Sequence, residues 1–159
     1  MKYPKVVKKT KGAAPQQQYA ALPWRRKGKA LEIMLITSRE TRRWVIPKGW
    51  PMKGRKSHAT AALEAIQEAG LLGKIDKTTI GAFHYQKKLG NGATVLCRVD
   101  VFPLRVVRQR KNWPEKRQRA TKWFSASKAA RMVDEPELTK MIRGFEKLAT
   151  KSFKKATAT

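Results

Sequence analysis

Residues 47–71 read Pro47-Lys48-Gly49-Trp50-Pro51-Met52-Lys53-Gly54-Arg55-Lys56-Ser57-His58-Ala59-Thr60-Ala61-Ala62-Leu63-Glu64-Ala65-Ile66-Gln67-Glu68-Ala69-Gly70-Leu71. Pro47 ends a short apolar run, Arg42-Arg43-Trp44-Val45-Ile46, that reads as a strand. Gly49, Pro51 and Gly54 then mark residues 48–56 as a loop. Ser57 is a suitable N-cap, and Ala59, Ala62, Leu63 and Ile66 recur at helical spacing. Gly70 is the natural stop, because a helix end commonly needs a left-handed residue there. Glu64 and Glu68 stand four apart, so they lie one above the other on the helix, with Gln67 beside them. Like charges so placed repel by a few tenths of a kcal/mol. Two readings are open for the pair. It is a solvated face answered by nearby Lys or Arg, or it is a hard-oxygen site for Mg²⁺, which takes one or two carboxylates together with substrate phosphates.

The flanks supply a sheet. Residues 18–24 read as a first strand, placed at an edge or bulge by Pro23. Residues 31–37 are nearly continuous in apolar residues, as in a strand buried on both faces. Residues 78–88 and 93–104 make two more strands, joined by the turn Gly90-Asn91-Gly92. Residues 105–119 read as a basic loop containing Trp113-Pro114-Glu115, residues 125–133 as a short helix, and residues 136–150 as a longer one. Strands, helix, strands and helices in that order give an α/β (α+β) domain with a mixed sheet between helices. Residues 1–17 read as a flexible basic arm, 18–150 as one domain and 151–159 as a flexible tail.

Composition narrows the chemistry. The chain of 159 residues carries 37 Lys and Arg against 11 Asp and Glu, a net charge of +26. Such a field attracts polyanions, and a non-specific attraction for nucleic acid through the basic surface is expected with it. One cysteine, Cys97, excludes an intrachain disulfide framework and a multi-cysteine zinc site. Two histidines, His58 and His84, argue against a histidine-rich metal centre, so any metal ligands are oxygens. No apolar run is long enough for a membrane span, and the basic start lacks the apolar segment of a secretory signal. A cytoplasmic location is the expectation. Nothing in the sequence fixes an oligomeric state. A glycine-rich Walker-type loop is absent, which removes support for kinase or ATPase chemistry. Trp44, Trp113 and Trp123 read as core or rim packing more readily than as base-stacking residues.

The spacing within residues 49–71 resembles the Nudix box. That pattern is Gly, five residues, Glu, seven residues, Arg-Glu, an aliphatic, any residue, Glu-Glu, any residue, Gly and an aliphatic. Gly49, Glu64, Glu68, Gly70 and Leu71 match it. Arg55, Leu63 and Gln67 stand where Glu, Arg and Glu belong, and Ala65 replaces a larger aliphatic. The resemblance extends over residues 18–149. Residues 36–39, Arg43-Trp44-Val45-Ile46-Pro47-Lys48-Gly49, and Arg119 four before Trp123-Phe124 are similar to hydrolases of diphosphoinositol polyphosphates and dinucleoside polyphosphates.

The resemblance implies a Nudix-like α/β/α sandwich with a mixed central sheet. It implies a metal-dependent pyrophosphohydrolase using Mg²⁺ or Mn²⁺ on a polyphosphorylated small molecule. Glu64 and Glu68 would be catalytic, Glu64, Gln67 and Glu68 would hold the metal, and Ser38, Arg39, Lys48, Gly49 and Arg119 would meet substrate. A family phosphate-binding arginine falls at Gln18. The alternative is a non-catalytic Nudix-fold module that binds nucleotide, inositol polyphosphate or RNA. The paired loss of Glu and Arg at Arg55 and Leu63 is close to neutral, because removing both partners leaves no orphaned charge. Gln67 keeps a carbonyl that can ligate a hard cation but removes one negative charge.

Overall fold

The structure, a computed structural model, describes residues 14–157, with side chains through Ser152. Eight strands form one mixed sheet: β1 (Gln16–Lys27), β2 (Ala30–Thr37), β3 (Trp44–Val45), β4 (Lys48–Gly49), β5 (Leu71–Ile75), β6 (Gly81–Lys88), β7 (Thr94–Gln109) and β8 (Thr121–Ser125). Three helices complete it: α1 (Ser57–Ala69), α2 (Ala126–Met132) and α3 (Pro136–Thr157).

β1 and β7 run parallel down the centre, and each changes its outer partner halfway along. β1 pairs with β4 at Tyr19–Ala20 and with β2 from Trp24 onward. β7 pairs with β6 up to Val101 and with β5 from Leu104 onward. Pro23 and Pro103 sit at those two handovers. A proline cannot donate to a ladder, and a point where the neighbouring strand changes is where a donor is least needed. Pro23 is therefore central rather than at an edge, which corrects the expectation.

The parting of β1 from β2 creates a wedge, and residues 44–49 fill it. β3 pairs with β2 through Ile36 and Thr37, β4 pairs with β1, and the Ala21 N–H donates to the Pro47 carbonyl at 3.0 Å. Residues 48–56 are thus not all loop, since Lys48 and Gly49 are a strand.

Two apolar layers flank the sheet. Leu22, Ile33, Leu35, Phe83, Val99 and Phe124 pack with Ala129, Leu138 and Ile142 under α2 and α3. Ala21, Met34, Ile36, Phe102 and Leu104 pack against Ala61, Ala65 and Ala69 of α1. This is the α/β/α sandwich expected. The buried stripe of α1 differs from the sequence reading. Alanines four apart, rather than Ala59, Ala62, Leu63 and Ile66, face the sheet. Small side chains let the helix come close, and Glu64 and Glu68 flank that stripe.

Other bounds shift. Residues 1–13 of the expected arm lie outside the described residues, whereas Gln16 and Gln17 are strand. The strand reading from Thr78 starts only at Gly81, and β5, β8 and residues 105–109 of β7 lie where loops or nothing are expected from the sequence. α3 continues through residue 157, so the expected tail is largely helical. Ser57 is the first helical residue and Lys56 is the N-cap, with no side-chain capping bond. Gly70 does take the left-handed conformation, at φ 66°.

Candidate functional site

α1 stands over the wedge, so its two acids meet β4. A Cβ built on Gly49 would lie 2.3 Å from the Glu64 carboxyl carbon, so only glycine allows this approach. One turn on, Glu68 Oε1 accepts the Lys48 backbone N–H at 3.1 Å. The alternation of β4 sends the Lys48 side chain to the opposite sheet face. Its ammonium lies 4.9 Å above the Tyr85 ring, and the Tyr85 hydroxyl donates to Gln18 Oε1 at 2.6 Å. Gln18, at the family arginine position, is therefore a buried acceptor for tyrosine.

Electrostatics follow from burial. Burial raises the Glu68 pKa above the usual carboxylate value, while the Arg119 and Lys48 cations oppose that shift. Burial also lowers Lys48 to about 8, Glu68 holding it up while Lys87 and Arg43 push it down. Tyr85 and Cys97 are both raised, chiefly by burial.

Arg119 has contacts that the sequence did not suggest. Its Nη2 donates to Glu68 Oε2 at 3.1 Å, its Nε to Glu115 Oε1 at 2.9 Å, and its Nη1 to the Thr37 carbonyl at 3.2 Å. Its side chain is only 9% exposed. In this structure the guanidinium is engaged by these three partners inside the protein. Gln67 Nε2 donates to Glu115 Oε2 at 3.3 Å, and the Glu115 N–H donates to the Gln67 carbonyl at 3.1 Å. Arg39 is half exposed at the rim, with Nη1 donating to Gln118 at 3.2 Å and Nε 3.9 Å from Glu115. Ser38 organises the turn before β3. Its hydroxyl meets Thr41 Oγ1 at 2.5 Å and accepts the Arg43 N–H at 3.2 Å.

Glu64, Gln67, Glu68, Lys48, Gly49 and Arg119 thus share one neighbourhood, Arg39 borders it, and Ser38 supports the turn that carries Arg39. Glu115 was missed by the sequence reading. The available signal was an acid within a strongly basic loop, in a chain with 11 acids.

Among the described residues, no group of three or more His, Cys, Asp or Glu is placed to hold a metal. The donor set still fits Mg²⁺ of the substrate-sharing kind. Glu64 and Glu68 offer two carboxylates and Gln67 a side-chain carbonyl. An open groove of about 390 Å³ between β6 and α3, lined by Ile80, Met141, Phe145 and Leu148, lies away from these groups.

No family model matches the chain. Two curated relatives from Arabidopsis thaliana do. "Nudix hydrolase 21, chloroplastic" is 28% identical over 137 residues, covering 84% of this chain and 67% of the relative. "Nudix hydrolase 12, mitochondrial" is 26% identical over 102 residues, covering 62% of this chain and 50% of the relative. The chain therefore spans about half to two thirds of these relatives. Among solved structures, an Ap4A hydrolase binary complex from C. elegans matches with TM-score 0.63 at 18% identity, over 84% of this chain and 96% of that one. The NUDIX domain of Shewanella oneidensis NrtR, complexed with ADP ribose, matches with TM-score 0.61 at 12% identity, over 83% and 88%.

The fold is that of the Nudix proteins, with the box helix standing over a glycine-bearing strand. The curated relatives that resemble the chain at 26–28% identity are Nudix hydrolases, and the solved structures share its fold. The relatives' names point to chloroplast and mitochondrion, so the cytoplasmic expectation gains no support from them. No described helix is long and apolar enough to cross a membrane.

Proposed function

We propose that this chain hydrolyses phosphoanhydride bonds in a nucleoside polyphosphate or a diphosphoinositol polyphosphate, with a box weakened at Arg55, Leu63 and Gln67. The observation that carries the reading is the convergence of Glu64 and Glu68 on β4, where Gly49 admits Glu64 and the Lys48 backbone N–H fixes Glu68. Mg²⁺ or Mn²⁺, held by Glu64, Glu68 and the Gln67 carbonyl, would supply Lewis-acid polarisation and offset charge on the departing phosphate. Glu64 takes a proton from the attacking water at a carboxylate oxygen. The water oxygen bonds to phosphorus as the anhydride P–O bond breaks. Arg39, at the exposed rim, attracts and orients the phosphates.

One observation favours a second reading, a binding module without turnover. Both Glu68 oxygens are already satisfied within the protein, by the Lys48 N–H and by Arg119. Phosphate release from diadenosine tetraphosphate and from a diphosphoinositol polyphosphate, at millimolar Mg²⁺, separates the two. The hydrolase reading expects turnover that Glu64→Gln lowers by about a hundredfold or more. Equal turnover in the two proteins would remove Glu64 from the mechanism, and none in either with probe binding retained would leave the binding module.

A further inference from the structure

The acid that the box lacks at Gln67 has a counterpart in the chain. Glu115, in the loop between β7 and β8, contacts Gln67 twice, once at its side-chain amide and once at its backbone carbonyl. Its carboxylate accepts the Gln67 amide at 3.3 Å and its N–H donates to the Gln67 carbonyl at 3.1 Å. Its other oxygen takes Arg119 Nε at 2.9 Å, and Arg119 in turn reaches Glu68 at 3.1 Å. Glu115 is 9% exposed, so its charge is held inside the structure. The neighbouring charges are Arg119 from the same loop, Arg39 from the turn after β2, and Glu68 from α1. A carboxylate at position 67 would replace the donor in the Gln67–Glu115 contact by a second acceptor. Two carboxylates would then face each other where one amide–carboxylate bond now stands.

We infer that the acidic function missing from helix position 67 has moved to loop position 115, and that Glu115 is a positioning residue which orients Glu68 through Arg119. This rests on the proposed reading of Glu68 as a working carboxylate. Gln67 is then the partner that Glu115 requires, and the two positions exchange charge as a pair. It follows that restoring the family glutamate alone does not repair the site. The repair needs a simultaneous swap.

The test compares the full chain with Gln67→Glu, Glu115→Gln and the double variant Q67E/E115Q. Thermal melts are read first. Each single variant is expected to melt several degrees lower, and the double variant to recover more than half of the summed loss. Losses that merely add in the double variant, or a Gln67→Glu protein as stable as the parent, would overturn the inference. Kinetics with diadenosine tetraphosphate and Mg²⁺ supply the readout that a purely structural brace would not move. Glu115→Gln should lower kcat by about tenfold with KM within about threefold, and the swap should restore most of kcat. An unchanged kcat in Glu115→Gln, with the parent active, also overturns it. A parent without turnover removes the proposed hydrolase function instead, and the melts still decide whether the charges at 67 and 115 are coupled.

Discussion

Lys48 meets Glu68 through its backbone, while its side chain lies on the other face of the sheet. The N–H fixes Glu68, and the ammonium lies over Tyr85 with its pKa lowered to about 8. It therefore gives up its proton near physiological pH, and the consequences differ in sign for binding and for stability. For binding, the protonated form adds one charge to the positive field that attracts phosphate. Affinity for tripolyphosphate should fall between about pH 7 and about pH 9, and Lys48→Arg, which stays charged, should flatten that fall. An equally steep fall in the variant would remove Lys48 from the explanation. For stability, the unfolded lysine keeps its proton up to its ordinary 10.5. Between about 8 and 10 the unfolded chain binds more protons, so Lys48 costs least at high pH and its contribution to stability rises with pH. Above 10.0 the raised Tyr85 acts in the opposite direction, which limits the useful window. Melts of the parent against Lys48→Met should show the difference moving in favour of the parent from pH 8 to pH 10. Much of this residue's importance was legible in Pro47-Lys48-Gly49, since Gly49 marks a close approach. The lowered pKa was not, because it comes chiefly from burial in the assembled fold, with Lys87 adding to it from a distant strand.

α1 is held at its C-terminus by the segment that follows β7. The Arg110 N–H donates to the Gly70 carbonyl at 2.8 Å, Gln109 Nε2 donates to the Ala69 carbonyl at 3.0 Å, and the Trp113 ring covers Gly70. A Cβ on Gly70 would lie 2.3 Å from Trp113 Cε3, at a φ of 66° that L side chains seldom adopt. Gly70→Ala should cost about 2 kcal/mol or more, part from the backbone and part from the displaced indole. In a Trp113→Ala background only the backbone part remains, about 1 kcal/mol. Urea unfolding of the four proteins checks this, and an equal cost in both backgrounds would mean that the ring contact contributes nothing. Gly70 was readable as a helix stop from its place after the periodic run. The covering loop was not, because Trp113-Pro114-Glu115 has no periodicity and lies more than forty positions away. The same limit hid β5 and β8, which are short strands without strong alternation, and it misassigned the buried stripe of α1. Leu63 and Ile66 look like core residues by type, yet the sheet takes the alanines because they allow closer packing.

At the scale of the molecule, most of the few acids are used internally. Glu32 pairs with Arg25, Glu68 and Glu115 with Arg119, Asp134 and Glu135 with Arg43, and Asp100 with Arg98. The net charge of +26 is therefore expressed outward as a field for anions. That field acts on any polyanion and is weakened by salt, whereas a site adds a local difference between one cation and another. The two contributions separate in one experiment. Tripolyphosphate affinity, measured by calorimetry from about 20 to about 200 mM salt, should fall by about tenfold or more. Arg39→Ala should lower affinity at every salt concentration, because Arg39 is held at the rim by Gln118 close to the Glu68–Arg119 pair. Lys140→Ala removes the same unit of charge from an exposed position on α3, beside the separate groove. Its effect should be small and should vanish at the highest salt, where only contacts within the screening length persist. If the two substitutions weaken binding equally and both effects vanish with salt, attraction is a property of the whole surface and the cleft over β4 holds no phosphate site.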